Sequence, residues 1–322
     1  MPWPVEAVET FPVPVAIGPL RAALARPRDA RTAGTVLLLE GRGEFLEKYG
    51  PTVVRLVARG FVVLGFDWRG QGASPRLVPG SARGHVRRFE DYLEDLACVA
   101  ARAEALGLPR PWYLLAHSMG AHLALRWLVE DCRRAERAAL VAPMFDIDFR
   151  PLPRNVVEPI VKTAVLLGAE YRYAPGQRDP RSRCRFESNP ATSCPEGFVL
   201  WRRLLESHPE RRVGGVTWGW LAAALRSIEA LRAPGVLERV SVPLLIFCGE
   251  ADRVVCNRAT VSAARRLRSA RLVAFPNARH DLFFERPSVR ETLHERILAF
   301  FSESSEQHET NARPAELSRL RR

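Results

Sequence analysis

The stretch Ala116-His117-Ser118-Met119-Gly120 sets a hydroxyl between small residues, where the apolar run "WYLLAH" (112–117) gives way to "MGAHLALRWLVEDC" (119–132). A free hydroxyl is out of place at a buried strand end unless the turn exists to present it. The pattern matches the strand–turn–helix G-x-S-x-G motif of a serine nucleophile, with Ala116 in place of the first glycine. Such a turn forces the serine into strained backbone angles, and small flanking residues are needed because strand and helix crowd it. A serine hydroxyl is a weak nucleophile without a base, and the base needs an orienting acid. With this turn, acid and then histidine should follow the serine along the chain. Asp252, in "LLIFCGEADRVV", and His280, in "LVAFPNARHDLFFERP", each lie in the loop after an apolar run. Asp146, in "MFDIDF", and Asp281, beside the histidine, are rival acids, with Asp252 preferred because its loop position matches better. His117 and His122 flank the turn and read as structural, and His85, His208 and His294 have no matching context.

An acyl-transfer intermediate also needs two preorganised N–H donors for its oxyanion. Met119 would supply one at the start of a helix, where the helix dipole favours negative charge. The backbone N–H of Arg42 is the candidate for the other, in the glycine-rich loop "EGRGEF" after the run "TVLLLEG" (35–41). Its glycines permit close approach of backbone to substrate.

These residues need a scaffold that brings their loops to one edge. Apolar runs at 35–41, 61–67, 112–117 and 137–143 alternate with helical patterns at 45–60, 89–107 and 119–132. That rhythm predicts parallel strands joined by helices, with functional loops at the carboxyl ends of the strands. The rhythm lapses over 146–235 and returns with a strand at 242–249, a helical pattern near 257–268, a strand at 270–275 and a last helix at 288–301. The expected organisation is a core of 1–145 and 236–302, a helical insertion of 146–235 after the strand at 137–143, and a disordered polar tail, 303–322. Within the insertion, "WGWLAAALRSIEAL" sets Leu221, Leu225 and Ile228 on one helical face, expected to pack on the core, with lining of an acyl tunnel or membrane contact as the alternative.

Composition narrows the function classes. Of 322 residues, 47% are hydrophobic, enough to bury a sizeable core. No apolar run is long enough to span a membrane, and the N-terminus lacks a basic and apolar leader, so a cytoplasmic protein is expected. The net charge is +12, yet nearly all of the positive charge is arginine; Lys48 and Lys162 are the only lysines. Nucleic-acid binding is not expected, because the arginines are scattered among 36 acids, are not interleaved with aromatics, and form no recognised binding signature. None of the six cysteines forms a C-x-x-C pair, so neither zinc nor thioredoxin-type chemistry is expected. Cys184 and Cys194 could bridge in an oxidising compartment, but free thiols are the expectation. The run "RDPRSRCRF" reads as a solvated charged surface, with phosphate capture by Arg181, Arg183 and Arg185 as the alternative.

Taken in order, "EGRGEFLEKY", "FDWRGQGAS", "LLAHSMGAHLAL", "GVTWGWL", "CGEADRVV" and "PNARHDLFFE" resemble the α/β-hydrolase superfamily, in the branch of lysophospholipase L2-like and monoacylglycerol lipase-like serine hydrolases. The resemblance spans roughly residues 30–302. It implies a mostly parallel sheet flanked by helices, a helical cap formed by the insertion, a Ser118–His280–Asp252 triad and oxyanion donors at Arg42 and Met119. This chain departs from the pattern at Glu40-Gly41, where many relatives have His-Gly, and at Ala116 and Ala121, where glycines are usual. Neither change removes a catalytic group. Epoxide hydrolysis and dehalogenation fit poorly, since relatives performing them use an aspartate where Ser118 stands.

The expected function is therefore hydrolysis of carboxylic esters of monoacyl lipids, lysophospholipid or monoacylglycerol. No metal or cofactor is expected, and a peripheral contact with a membrane surface is a further expectation. The competing readings are a carboxylesterase or thioesterase on small acyl substrates and a catalytically silent binding module.

Overall fold

The computed structural model describes residues 3–28, 32–180 and 185–303. Eight strands form one sheet: β1 (Val8–Val13), β2 (Leu20–Ala25), β3 (Gly34–Leu39), β4 (Phe61–Phe66), β5 (Trp112–His117), β6 (Arg137–Val141), β7 (Leu244–Gly249) and β8 (Ala270–Phe275). Their order across the sheet is β1-β2-β4-β3-β5-β6-β7-β8, with β1 and β2 antiparallel and every pair from β4 to β8 parallel. Strands β3 to β7 are buried along their whole lengths, as expected for parallel strands covered on both faces.

Side chains of one strand alternate between two cores. Leu37 and Leu39 pack with Leu114 and Leu140 under α2 (Glu90–Ala105) and α3 (Met119–Glu130). Val36 and Leu38 pack on the other face with Leu115 and Val141, beneath α1 (Gly50–Ala58) and α8 (Pro287–Ser302). Between the neighbouring strands β6 and β7 the chain carries α4 (Arg154–Leu166), α5 (Pro195–Ser207) and α6 (Trp218–Arg232), and α7 (Asn257–Arg266) follows β7. Helix α6 is buried into the first core, with Leu221 and Leu225 facing it; α4 packs on α6, and α5 rests on the short helical turns at Leu46–Tyr49 and Leu282–Phe284.

Several elements differ from the sequence expectation. The helix expected at 45–60 is split into a 3-10 turn, Leu46–Tyr49, and α1, because Pro51 fits only in a first helical turn. The strands β1 and β2 were not anticipated. Helix α8 runs through Ser302, and the tail beyond Glu303 lies outside the described residues, as do Arg181, Arg183 and Cys184.

Candidate active site

The parallel strands end on one edge, and the loops that leave them carry the candidate residues. The turn after β5 holds Ser118 at φ 49° and ψ −110°, a strained conformation for a residue with a Cβ. Three hydrogen bonds lock it: the Ser118 N–H donates to the Val141 carbonyl, and the Ser118 carbonyl accepts from the His122 and Met144 N–H groups. Gly120 makes the turn possible by proximity. A Cβ there would lie 2.4 Å from the Leu39 carbonyl oxygen and 2.5 Å from that of Glu40, so the start of α3 presses directly on the end of β3. Ala116 and Ala121 are fully buried and fit without strain at positions where glycine is usual.

The loops after β7 and β8 bring Asp252 and His280 to the same turn. His280 Nε2 lies 2.9 Å from Ser118 Oγ, and its Nδ1 lies 2.8 Å from Asp252 Oδ2. A carboxylate can only accept, so Nδ1 carries the proton and Nε2 accepts from the serine hydroxyl. The other Asp252 oxygen accepts from Val254 N–H at 2.7 Å and Val255 N–H at 3.1 Å, which fixes the carboxylate. All three side chains are buried. Burial by itself would lower the His280 pKa, but the charge and hydrogen bond of Asp252, with Asp281 and Glu44, outweigh it and raise the net value. Glu285, fully buried, ties the histidine loop to the insertion by accepting from Arg279 N–H, Ser193 N–H and Ser193 Oγ.

The rival acids are engaged elsewhere. Asp146 pairs with Arg154 at 2.6 Å and Arg232 at 3.0 Å. Asp281 turns to Lys48, at 2.8 Å. His122 bonds Ser227 Oγ at 2.7 Å, and burial with Arg126 nearby lowers its pKa to about 3. His85 bonds Thr217 Oγ1 at 2.8 Å.

Arg42 sits in the turn after β3. The amides on either side of it are taken: Gly41 N–H donates to Glu44 Oε2 at 2.6 Å and Gly43 N–H to Gln71 Oε1 at 2.8 Å. The Arg42 and Met119 N–H groups have no acceptor among the described residues, and the contact of Gly120 with the end of β3 keeps the two turns adjacent. Ser118, His280 and Arg42 open on a cavity of about 700 Å³ lined mainly by apolar residues, among them Phe149, Ile160, Trp218 and Leu221. Arg185 lies away from it, in a shallow cleft with Phe186 and Phe198.

Sequence reasoning missed a buried charge cluster beside the candidate triad. Lys48 Nζ bridges Glu44 at 2.5 Å and Asp281 at 2.8 Å, inside a ring of Tyr49, Trp201, Phe283 and Phe284. Glu44 also accepts from Tyr49 and bonds His117 Nδ1 at 2.8 Å, while the His117 ring lies 5.1 Å from that of His280. Burial works against the charge of Glu44, yet His117 and Lys48 hold its pKa well below the ordinary value. One signal was available: a lysine is a rare choice in so arginine-rich a chain.

Residues 30–287 match the Hydrolase_4 family, described as serine aminopeptidase, S33. The chain belongs to that family. It is 31% identical over 277 residues to lysophospholipase L2 of Escherichia coli, covering 83% of this chain and 80% of that protein. It is 29% identical over 270 residues to a probable lysophospholipase L2 of Haemophilus influenzae, covering 84% of each. A soluble variant of monoglyceride lipase from Saccharomyces cerevisiae, solved with a substrate analogue, shares the α/β-hydrolase fold at a TM-score of 0.73 and 17% identity, over 95% of this chain and 98% of that one.

Proposed function

We propose that this family member hydrolyses carboxylic esters of monoacyl lipids through an acyl-enzyme formed on Ser118. The observation that carries the proposal is the 2.9 Å contact of Ser118 Oγ with His280 Nε2, made at a strained turn that opens on the apolar cavity. Ser118 attacks the ester carbonyl while His280 takes its proton, and Asp252 holds the imidazole tautomer and stabilises the imidazolium. The backbone N–H groups of Arg42 and Met119 stabilise the tetrahedral oxyanion. His280 returns the proton to the departing alcohol. A water deprotonated by His280 then attacks the acyl-enzyme and releases the fatty acid, regenerating Ser118.

The cavity supports a lipid acyl chain rather than a small acyl group, since its volume and apolar lining exceed what a short ester fills. The names of the two relatives, lysophospholipase L2 and probable lysophospholipase L2, agree with this. In this reading residues 1–145 and 236–302 are the catalytic core and 146–235 the cap. Exposed Leu152, Ile160, Leu166 and Leu167 on and beside α4 then form an apolar rim suited to a peripheral contact with a membrane surface. No described helix is long and apolar enough to cross one.

The test is labelling of the purified full chain and of Ser118→Ala with a fluorophosphonate probe, followed by a panel of lysophospholipids, monoacylglycerols, short esters, thioesters and aminoacyl arylamides. Stoichiometric labelling that vanishes in the variant is expected, with loss of ester turnover on the order of 10⁴- to 10⁶-fold. A folded wild type that resists labelling would move the binding-module reading to the front. Preference for arylamides would favour the peptidase named in the family description.

A further inference from the structure

A cation enclosed by protein is costly unless a carboxylate or solvent compensates it. The cavity beside Ser118 contains a half-buried cation with no carboxylate beside it among the described residues. Arg42 lines the cavity, and its guanidinium is caged on several sides. Nη2 donates to the Gly214 carbonyl. Cζ lies 5.3 Å from the centroid of the Trp220 ring. The Gly84 backbone packs so closely that a Cβ there would be 2.2 Å from Nη2. Nε is sealed from solvent, and neither it nor Nη1 has a hydrogen bond to a described residue. Burial pulls the Arg42 pKa down to about 10, countered only by the phenols Tyr92 and Tyr173, so the group stays charged at neutral pH with no described carboxylate as partner.

The acids lining the same cavity already have cationic partners of their own, although two of them share one lysine. Glu44 and Asp281 belong to Lys48, and Asp148 to Arg150. Arg212, a further cation of the lining, gives Nε to the Leu205 carbonyl at 2.7 Å. The cavity is therefore mainly apolar along its walls, and Arg42 sets a guanidinium without a carboxylate partner among the described residues on the same cavity as Ser118.

We propose that the Arg42 guanidinium is an anion subsite that receives the phosphodiester of a monoacyl glycerophospholipid while its ester carbonyl sits at Ser118. The proposal rests on the ester-hydrolase reading of this cavity and narrows it, favouring phosphate-bearing lipids over neutral monoacylglycerols. The lengths agree. From the Arg42 amide nitrogen to Cζ the chain runs over the same number of bonds as from the carbonyl carbon of a 1-acyl lysophospholipid to its phosphorus. One residue would thus hold the oxyanion with its backbone and the head group with its side chain. A guanidinium presents paired N–H donors in a fixed fork that suits phosphate oxygens. The arginines of "RDPRSRCRF" are not needed for this role.

The experiment compares kcat/KM for 1-palmitoyl lysophosphatidylglycerol and 1-palmitoylglycerol in one neutral detergent, for wild type, Arg42→Met, Arg42→Lys and Gly84→Ala. Hydrogen bonds to charged groups of this kind predict that Arg42→Met lowers the phospholipid-to-glyceride ratio about ten- to hundredfold. Arg42→Lys should recover part of the ratio. Gly84→Ala, which displaces the guanidinium without touching residue 42, should lower it in the same direction. An unchanged ratio in folded Arg42→Met, or in folded Gly84→Ala should Arg42→Met not fold, overturns the subsite while leaving the hydrolase reading intact. Failure of wild type to cleave either ester, or full activity in Ser118→Ala, overturns the hydrolase reading instead. A binding arm keeps the two separable: calorimetric titration of Ser118→Ala with the ether analogues 1-O-hexadecyl-glycero-3-phosphocholine and 1-O-hexadecylglycerol, which keep the glycerol spacer. Tighter binding of the phosphodiester, lost on adding Arg42→Met, supports the subsite; equal binding overturns it.

Discussion

Replacing Lys48 by methionine tests the buried cluster beside the candidate triad. The substitution roughly preserves side-chain volume and removes one charge. Glu44 would keep its bonds to Tyr49 and His117, but Asp281 would lose its lysine partner, and its Oδ1 is already buried without a partner. Breaking a buried ion pair by removing one member costs about 3–5 kcal/mol. The contacts left to Glu44 place this case near the lower end, about 3 kcal/mol. At an unfolding entropy of about 2.1 cal/mol/K per residue, a chain of 322 residues shifts by about 1.5 °C per kcal/mol, so the melting temperature should fall by roughly 4–5 °C. The pH dependence carries a sign. Glu44 has its folded pKa depressed, so its contribution is present above the unfolded value of 4.5 and is lost as pH falls through the folded value. Lys48 has its pKa raised, Glu44 and Asp281 outweighing burial, so its contribution is full below 10.5 and is lost as pH rises through the folded value. The deficit of the variant should thus be greatest between those pH values and shrink on either side. Calorimetric melts of both proteins at pH 4 and pH 7 measure it. Adding Asp281→Asn should return part of the loss, because the stranded carboxylate is gone. A variant that melts with the wild type at pH 7 would refute the reasoning, for it would mean that the apolar ring alone carries this part of the core.

Two further predictions concern the serine turn and its base. Gly120→Ala should cost about 1–3 kcal/mol in denaturant unfolding, since its Cβ would meet the backbone carbonyls of Leu39 and Glu40 rather than yielding side chains; an undiminished midpoint would contradict the close approach. Because Asp252, Asp281 and Glu44 raise His280 against the lowering effect of burial, the acid limb of kcat/KM should have its midpoint above 6.5. Asp281→Asn should shift that limb to lower pH, and a wild-type limb at or below 6.5 would refute the assignment.

Much of the scaffold was legible because parallel strands buried on both faces leave a local trace: short continuous apolar runs bounded by turns. "WYLLAH" is β5 to the residue; "ARLVAF" is β8 to the residue as well, although this edge strand is only half-buried. The strands β1 and β2 left no such trace. "VETFPV" contains a proline that only an edge strand tolerates, and "LRAALA" has the composition of a helix. Their pairing with each other and with β4 overrides those preferences. The helices α4 and α5 were equally opaque, since their faces are set by contacts with α6 and with loops distant in sequence.

The candidate site divides in the same way. The sequence alone determined which residues could act, because a serine between small residues at a strand end, and an aspartate and a histidine after later strands, are local facts read in chain order. It also determined that Arg42 stands in a glycine-rich turn after a strand. Only the tertiary structure sets Asp252, rather than Asp146 or Asp281, beside His280 Nδ1, with Arg154 and Arg232 engaging Asp146 and Lys48 engaging Asp281. Only the tertiary structure revealed that the Arg42 guanidinium has no carboxylate partner among the described residues, for charge compensation is a property of three-dimensional neighbours. Gly84, Gly214 and Trp220, which cage that group, are far from it in sequence. A hydroxyl, an imidazole and a carboxylate can be listed from a chain, but their reactivity depends on distances and on excluded water, and those exist only once the sheet has assembled.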